Sequence, residues 1–138
     1  MTPARLHVAL AAASAGGVLG ALARWGLSER FPTTSGFPTT VFWINVAGCA
    51  LLAALPAVPA VRRTPWLGVF LGTGVLGGFT TMSAASEQTV VLLDGHHAAT
   101  AFTYCGGTLV AALVAVWVVD RWTTPIQRAQ LERDEGDE

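Results

Sequence analysis

Four stretches of this sequence run with almost no charge, and they constrain the fold more than any motif does. Leu6–Trp25 meets no acid or arginine before Arg24, and Val41–Val61, Trp66–Ser86 and Ala98–Val119 carry none at all. A helix needs about 20 predominantly apolar residues to cross the hydrocarbon of a bilayer, and each stretch supplies them. Lipid offers the backbone no hydrogen-bond partner, so segments of this length can cross only as helices. The composition agrees: the 138 residues are 52% hydrophobic and 12% charged, where soluble domains carry about 25% charged residues.

The expected fold is therefore an all-α membrane protein with four transmembrane helices over about 5–26, 39–61, 66–93 and 97–121. Together these make a membrane domain at 1–122, followed by a charged tail at 123–138 that we expect to be partly disordered. Five of the nine acids, Glu132, Asp134, Glu135, Asp137 and Glu138, lie in that tail, and all eight basic residues are Arg. Arg5 followed by Ala13-Ser14-Ala15 has the look of a secretory signal, but the apolar run continues unbroken to Leu22 and reads as a span. Cys49 and Cys105 stand in separate apolar runs and read as free, small, apolar residues. His96 and His97, in the turn Asp94-Gly95-His96-His97, have no companions at metal-ligand spacing and read as solvated. Without a nucleophile–base pair or a metal cluster the chain is not expected to be an enzyme, and without a basic patch it is not expected to bind nucleic acid.

Small residues recur every four positions: Ala12, Gly16 and Gly20 on one face of the first helix, Gly107, Ala111 and Ala115 on one face of the fourth. Such faces let helix backbones approach closely in lipid. Four short helices enclose little volume, so a pathway through one copy is not expected and an oligomer is.

Polar residues in a span are costly and mark function by default. Asn45, early in the second span, either bonds a neighbouring helix or donates its amide N–H groups to a dehydrated anion. The third span contains Gly77-Gly78-Phe79-Thr80-Thr81-Met82-Ser83. Adjacent glycines followed by threonines disfavour a continuous helix, so a break is expected at Gly77–Thr81. Carbonyls freed there suit a hard cation such as Na⁺, with the hydroxyls of Thr80, Thr81 and Ser83 near the same level. The other reading of the glycines is a close crossing of helices with no ion. Arg24 either snorkels to the interface or draws anions toward a vestibule. Glu87, near the end of the third span, bonds hydroxyls or meets the interface.

Three motifs together resemble the CrcB/Fluc family of fluoride channels: Gly16-Gly17-x-x-Gly20-Ala21-x-x-Arg24-Trp25, Asn45-x-x-Gly48, and Gly77-Gly78-Phe79-Thr80-Thr81-x-Ser83. They follow the family's order and spacing over all four helices. The resemblance implies an antiparallel dimer with two narrow anion pathways between subunits, in the cell membrane. It implies passive, fluoride-specific export that lowers cytoplasmic fluoride. It further implies a structural, untransported Na⁺ on the backbone carbonyls of Gly77 and Thr80. Asn45, Thr81, Ser83, Tyr104 and Thr108 would face the pathway, with Arg24 at its vestibule. The chain departs from the family at Met82 and Ala85, where two pore Phe residues usually stand, at Thr40-Val41 in place of Gly-Thr, and at Ala112, where a hydroxyl is common.

With four spans, Arg5, Arg62, Arg63, Arg121, Arg128 and Arg133 fall on one side of the membrane and Arg24 and Arg30 on the other. The positive-inside rule then predicts cytoplasmic termini and insertion in one direction. A chain that inserts one way needs an oppositely oriented homologous four-helix partner to form an antiparallel dimer, and the lost Phe residues point the same way. The alternatives are a non-conducting assembly or regulatory subunit, and a small proton-coupled multidrug exporter. The exporter needs an acid in the first helix, and Leu6–Leu22 has none.

Overall fold

The computed structural model describes residues 3–33 and 36–136, with side chains for 5–33 and 36–125. Its helices follow the apolar runs. Helix α1 is Pro3–Arg30 and α2 is Thr39–Ala54, continued by a 3₁₀ turn at Leu55–Ala57. A short α3, Pro59–Arg63, leads to the third span. That span is composite: α4 at Pro65–Gly68, a π-helix at Val69–Leu76, α5 at Gly77–Phe79, and, after a break, α6 at Met82–Asp94. Helix α7, Ala98–Gly136, is the last of the described elements, and residues 137–138 of the charged tail lie outside the described residues. Four segments, Arg5–Arg30, Thr39–Ala57, Pro65–Asp94 and Ala98–Pro125, are long and apolar enough to cross a membrane. No strand occurs among the described residues.

Three boundaries differ from the sequence pattern. Helix α1 runs a turn beyond residue 26, to Arg30. The second helix does not reach Val61: Pro56 lies in the 3₁₀ turn, and Val58 turns extended (φ −87°, ψ 113°) before Pro59 starts α3. Proline has no N–H for the helix ladder and restricts the residue before it, which ends α2 there. The fourth helix does not end at Arg121, and its backbone stays helical through Pro125 to Gly136. Gln127, Arg128, Ala129, Gln130, Leu131 and Glu132 are all strong helix formers, so the polar tail carries helix propensity despite its charge.

The surface is apolar and the interior small, as lipid permits. Leu109, Leu113 and Val114 of α7 and Val18, Leu19 and Leu22 of α1 are exposed, while the buried apolar side chains are Val41, Ile44, Leu76, Leu92, Ala101 and Tyr104. Glycines set the closest contact. A Cβ on Gly16 would collide with Phe70 O and lie 2.9 Å from Gly74 Cα, and one on Gly20 would collide with Val75 O and lie 2.8 Å from Phe79 N. From the other side, a Cβ on Gly78 would lie 2.5 Å from Gly17 O. The first-helix glycine face therefore seats the π-helix and α5 directly on α1. The face at Gly107 does not act this way within the chain, since a Cβ there meets nothing within 4 Å.

The break redirects the third span. Before it, the π-helix and α5 pack along α1; after it, α6 packs along α7, which also holds α2. One span thus ties the two helix pairs together. Overpacking a close backbone contact costs about 1–3 kcal/mol or more, so Gly20→Val is expected to lower the detergent melting temperature sharply. Gly26→Ala, where a Cβ meets nothing within 4 Å, is expected to leave it unchanged. Equal melting temperatures for the two variants would refute the close seating of α1.

Candidate functional site: the break in the third span

The break falls inside the expected window but at its threonine end. Gly77 and Gly78 remain helical; Thr80 (φ −74°, ψ 154°) and Thr81 (φ −151°, ψ 118°) are extended. Two local effects favour this. β-Branched Thr tolerates extended backbone well, and its hydroxyl offers helix ends the partners they lack. Thr80 closes the preceding helix twice on one acceptor, its N–H and its hydroxyl each donating to Leu76 O at 3.0 Å. Thr81 opens the next helix: its Oγ1 accepts from Ala84 N at 3.1 Å. Ser83 Oγ lies 3.2 Å from the same hydroxyl.

The second span supplies the brace. Asn45 Oδ1 accepts from Thr81 N at 2.8 Å, and Asn45 Nδ2 donates to Thr81 O at 3.0 Å. A side-chain amide carries one acceptor and two donors, so it pairs with an extended peptide much as a neighbouring strand would. One turn further along α2, a Cβ on Gly48 would collide with Thr80 Cγ2 and lie 3.4 Å from Phe79 Cδ1. The Asn45-x-x-Gly48 spacing therefore has a local cause: the amide grips one residue of the break, and the glycine makes room for the other. Asn45 thus bonds the neighbouring span at its break, and one Nδ2 hydrogen remains beyond this pair.

The first span supplies a cation. Arg24 does not merely end its helix at the interface; it is half-buried, and its Nε donates to Gly78 O at 3.3 Å. The break thus collects Arg24, Asn45, Gly77, Thr80, Thr81 and Ser83 from three spans. An unbroken helix would pair Gly77 O with Thr81 N and Thr80 O with Ala84 N. Both donors are diverted to side-chain oxygens. Phe79 O has also lost its helical donor, because Ser83 N lies in the first turn of α6 and makes no backbone bond outside it.

The remaining predicted residues form a second cluster. Tyr104 is fully buried, its hydroxyl donating to Gln88 Oε1 at 2.8 Å. Leu92 and Ala101 share this core, with Phe37, Phe42 and Ala85 packed against it. Phe37 meets the edges of Tyr104 and Phe42 with ring centroids 5.4 and 5.5 Å apart. Thr108 donates to Tyr104 O at 2.6 Å in its own helix. Met82 is 78% exposed and is not part of the Tyr104 core. Gln88, the partner of the buried tyrosine, and the edge-on rings of Phe37 and Phe42 are not among the residues expected from the sequence. A polar residue within a span, even near its end, was the available signal for Gln88. Cys49 and Cys105 are free, and no group of His, Cys, Asp or Glu among the described residues could hold a metal.

Four apolar spans, one interrupted at a braced, partly polar break, define a small multi-pass membrane protein with its polar chemistry in mid-span. A family model described as CrcB-like protein, Camphor Resistance (CrcB), matches residues 11–119, which takes in all four spans. The chain belongs to the CrcB family, a family of ion channels and not of enzymes. It is 43% identical over 106 residues to a protein of Streptomyces avermitilis named fluoride-specific ion channel FluC 2, a match covering 72% of this chain and 65% of that protein. It is 43% identical over 104 residues to a fluoride-specific ion channel FluC of Paracoccus denitrificans, covering 73% and 82%. With fluoride-specific ion channel FluC 2 of Bacillus subtilis it shares 39% identity over 122 residues, covering 85% and 92%.

The Tyr104–Gln88 bond joins side chains of the third and fourth spans, and a double-mutant cycle can isolate it. Hydrogen bonds between membrane helices average about 0.6 kcal/mol and reach about 1.7 kcal/mol. A cycle of Tyr104→Phe and Gln88→Leu, read by thermal unfolding in detergent, is expected to give a coupling in that range. A coupling indistinguishable from zero would show that the two groups do not pair.

Proposed function

We propose that this chain is a subunit of a passive, fluoride-specific channel that lets F⁻ leave the cell and so lowers cytoplasmic fluoride. The observation that carries the reading is the braced break at Thr80–Thr81, with Arg24 beside it, in a chain whose relatives are named fluoride-specific ion channels. A small anion entering a bilayer must exchange its water for donors that the protein holds in place. Arg24 has guanidinium hydrogens beyond the one given to Gly78. The hydroxyls of Thr81 and Ser83 stand at the break, Asn45 keeps one N–H, and ring edges near Tyr104 carry partial positive charge. Thr108 lies one turn along from that tyrosine.

Carbonyls that have lost their helical donors are the chemistry a hard cation selects, and Gly77 O and Thr80 O are two such groups. A Na⁺ held there would be structural and would offset part of the cost of an anion in low dielectric. The assembly we infer is an antiparallel dimer. Helix α7 supports it: a Cβ on Gly106 or Gly107 would meet nothing within 4 Å, which leaves the close-approach surface a second subunit would need.

The arginines favour a paired assembly over a symmetric one. Six fall on the side of both termini and two on the other, a bias that supports one-way insertion with cytoplasmic termini in the cell membrane. Met82 and Ala85 remove the aromatic edges that the family usually contributes. An oppositely inserted homologous subunit that retains both Phe would supply them.

Purified chain in fluoride-loaded liposomes, alone and co-expressed with such a homologue, tests the reading with a fluoride electrode. Fluoride release without chloride release is expected from the pair, and slower release from the chain alone. Met82→Phe with Ala85→Phe is expected to raise the flux of the chain alone. Equal rates for chain and pair would exclude obligate pairing. No fluoride release from either would overturn the channel reading and leave the chain as a non-conducting partner.

A further inference from the structure

We infer that Asn45 and the Thr81 hydroxyl are positioning residues of the break, diverting two backbone donors so that Gly77 O and Thr80 O stay available to a cation. Backbone pairing in the third span is the basis. In hydrocarbon every N–H and C=O must find a partner, and a helix supplies it four residues away. Thr81 N, which would serve Gly77 O, is held by Asn45 Oδ1 at 2.8 Å. Ala84 N, which would serve Thr80 O, is held by Thr81 Oγ1 at 3.1 Å. Gly78 O, between them, takes Arg24 Nε at 3.3 Å. The side chains thus sort the carbonyls: Gly78 O is satisfied by a fixed cationic group, Gly77 O and Thr80 O lose their donors to side-chain oxygens, and Phe79 O loses its donor to the break itself.

The geometry of the amide makes Asn45 specific for this task. Its Nδ2 also donates to Thr81 O at 3.0 Å, so both sides of one residue are gripped and the extended peptide cannot relax into the helix. Gly48 completes the brace by admitting the Thr80 methyl. Leucine at 45 would keep the volume and lose both bonds. Aspartate would keep the acceptor and set a carboxylate oxygen against Thr81 O. The diversion stands on geometry alone; only the identity of the cation, Na⁺, rests on the channel reading above.

Asn45 is the only asparagine in the chain, so selective ¹⁵N-asparagine labelling of the full chain in lipid nanodiscs yields one side-chain amide pair. The two protons are expected at well-separated shifts, one hydrogen-bonded and one not. The pair is expected to move when Na⁺ is replaced by N-methylglucamine, with fluoride absent throughout. In thermal unfolding, loss of an outer-shell partner typically lowers metal affinity about 10–100-fold. Asn45→Leu and Thr81→Val are each expected to raise the Na⁺ concentration for half-maximal stabilisation by that factor, while Thr81→Ser, which keeps the hydroxyl, retains the wild-type response. If Asn45→Leu does not fold, the Thr81 pair and the wild-type spectrum decide. An amide pair that does not move when Na⁺ is withdrawn would overturn the inference. A wild-type response to Na⁺ in both Asn45→Leu and Thr81→Val would overturn it too, as would a wild-type chain that does not respond to Na⁺. None of these readouts uses fluoride flux, so failure of the brace and failure of the channel reading are separable.

Discussion

Hydrocarbon cannot hydrogen-bond a peptide group, and the structure is organised around the one place where the chain interrupts its own ladder. Each unsatisfied backbone group in lipid costs several kcal/mol, so a break in mid-span persists only where side chains, water or an ion meet the groups it frees. Here the partners come from three directions: Asn45 from α2, Arg24 from α1, and the threonines of the break itself. The interruption also lets the third span pack on α1 before the break and on α7 after it. The same two residues therefore decide the packing of the helices and the location of the polar chemistry.

The glycines serve a different purpose from the one their sequence suggests. Gly77-Gly78 reads as the weak point of the helix, yet both residues are helical and the chain opens at Thr80 and Thr81. Gly78 instead lets α5 lie against the backbone of α1 at Gly17. In water a Gly-Gly pair weakens a helix because it costs backbone entropy and exposes peptide groups. In lipid the peptide groups have nowhere else to bond, and the small surface gains close packing. The π-helix at Val69–Leu76, in which Gly77 N–H reaches back to Gly72 O, lies on the same contact. Nothing in the residue pattern of that segment distinguishes it from an α-helix.

Much of this molecule was legible in its residues alone. The charge-free runs give four helices, and polar residues in apolar runs mark Arg24, Asn45 and Thr81; the end of α2 at Ala54, short of the expected 61, was not read from Pro56 and Pro59. The glycine face of α1 was legible as a packing surface; that of α7 was not, because a four-residue spacing does not say whether the partner lies in the same chain. Tyr104 shows a similar limit. Its position in a span marks it as notable, but its burial against Gln88, Phe37 and Ala85 depends on how α6 meets α7.

The sequence by itself determined the class of fold and the direction of its chemistry. Apolar length and backbone satisfaction in lipid leave only helices, and on four spans the eight arginines divide six to two between the two sides. The tertiary structure decided which groups each polar side chain meets. An asparagine in a span has donors and an acceptor to give, and its sequence position does not say which peptide lies within about 3 Å of it. At Asn45 that neighbour is the backbone of Thr81, brought there by a contact between spans that are distant in sequence.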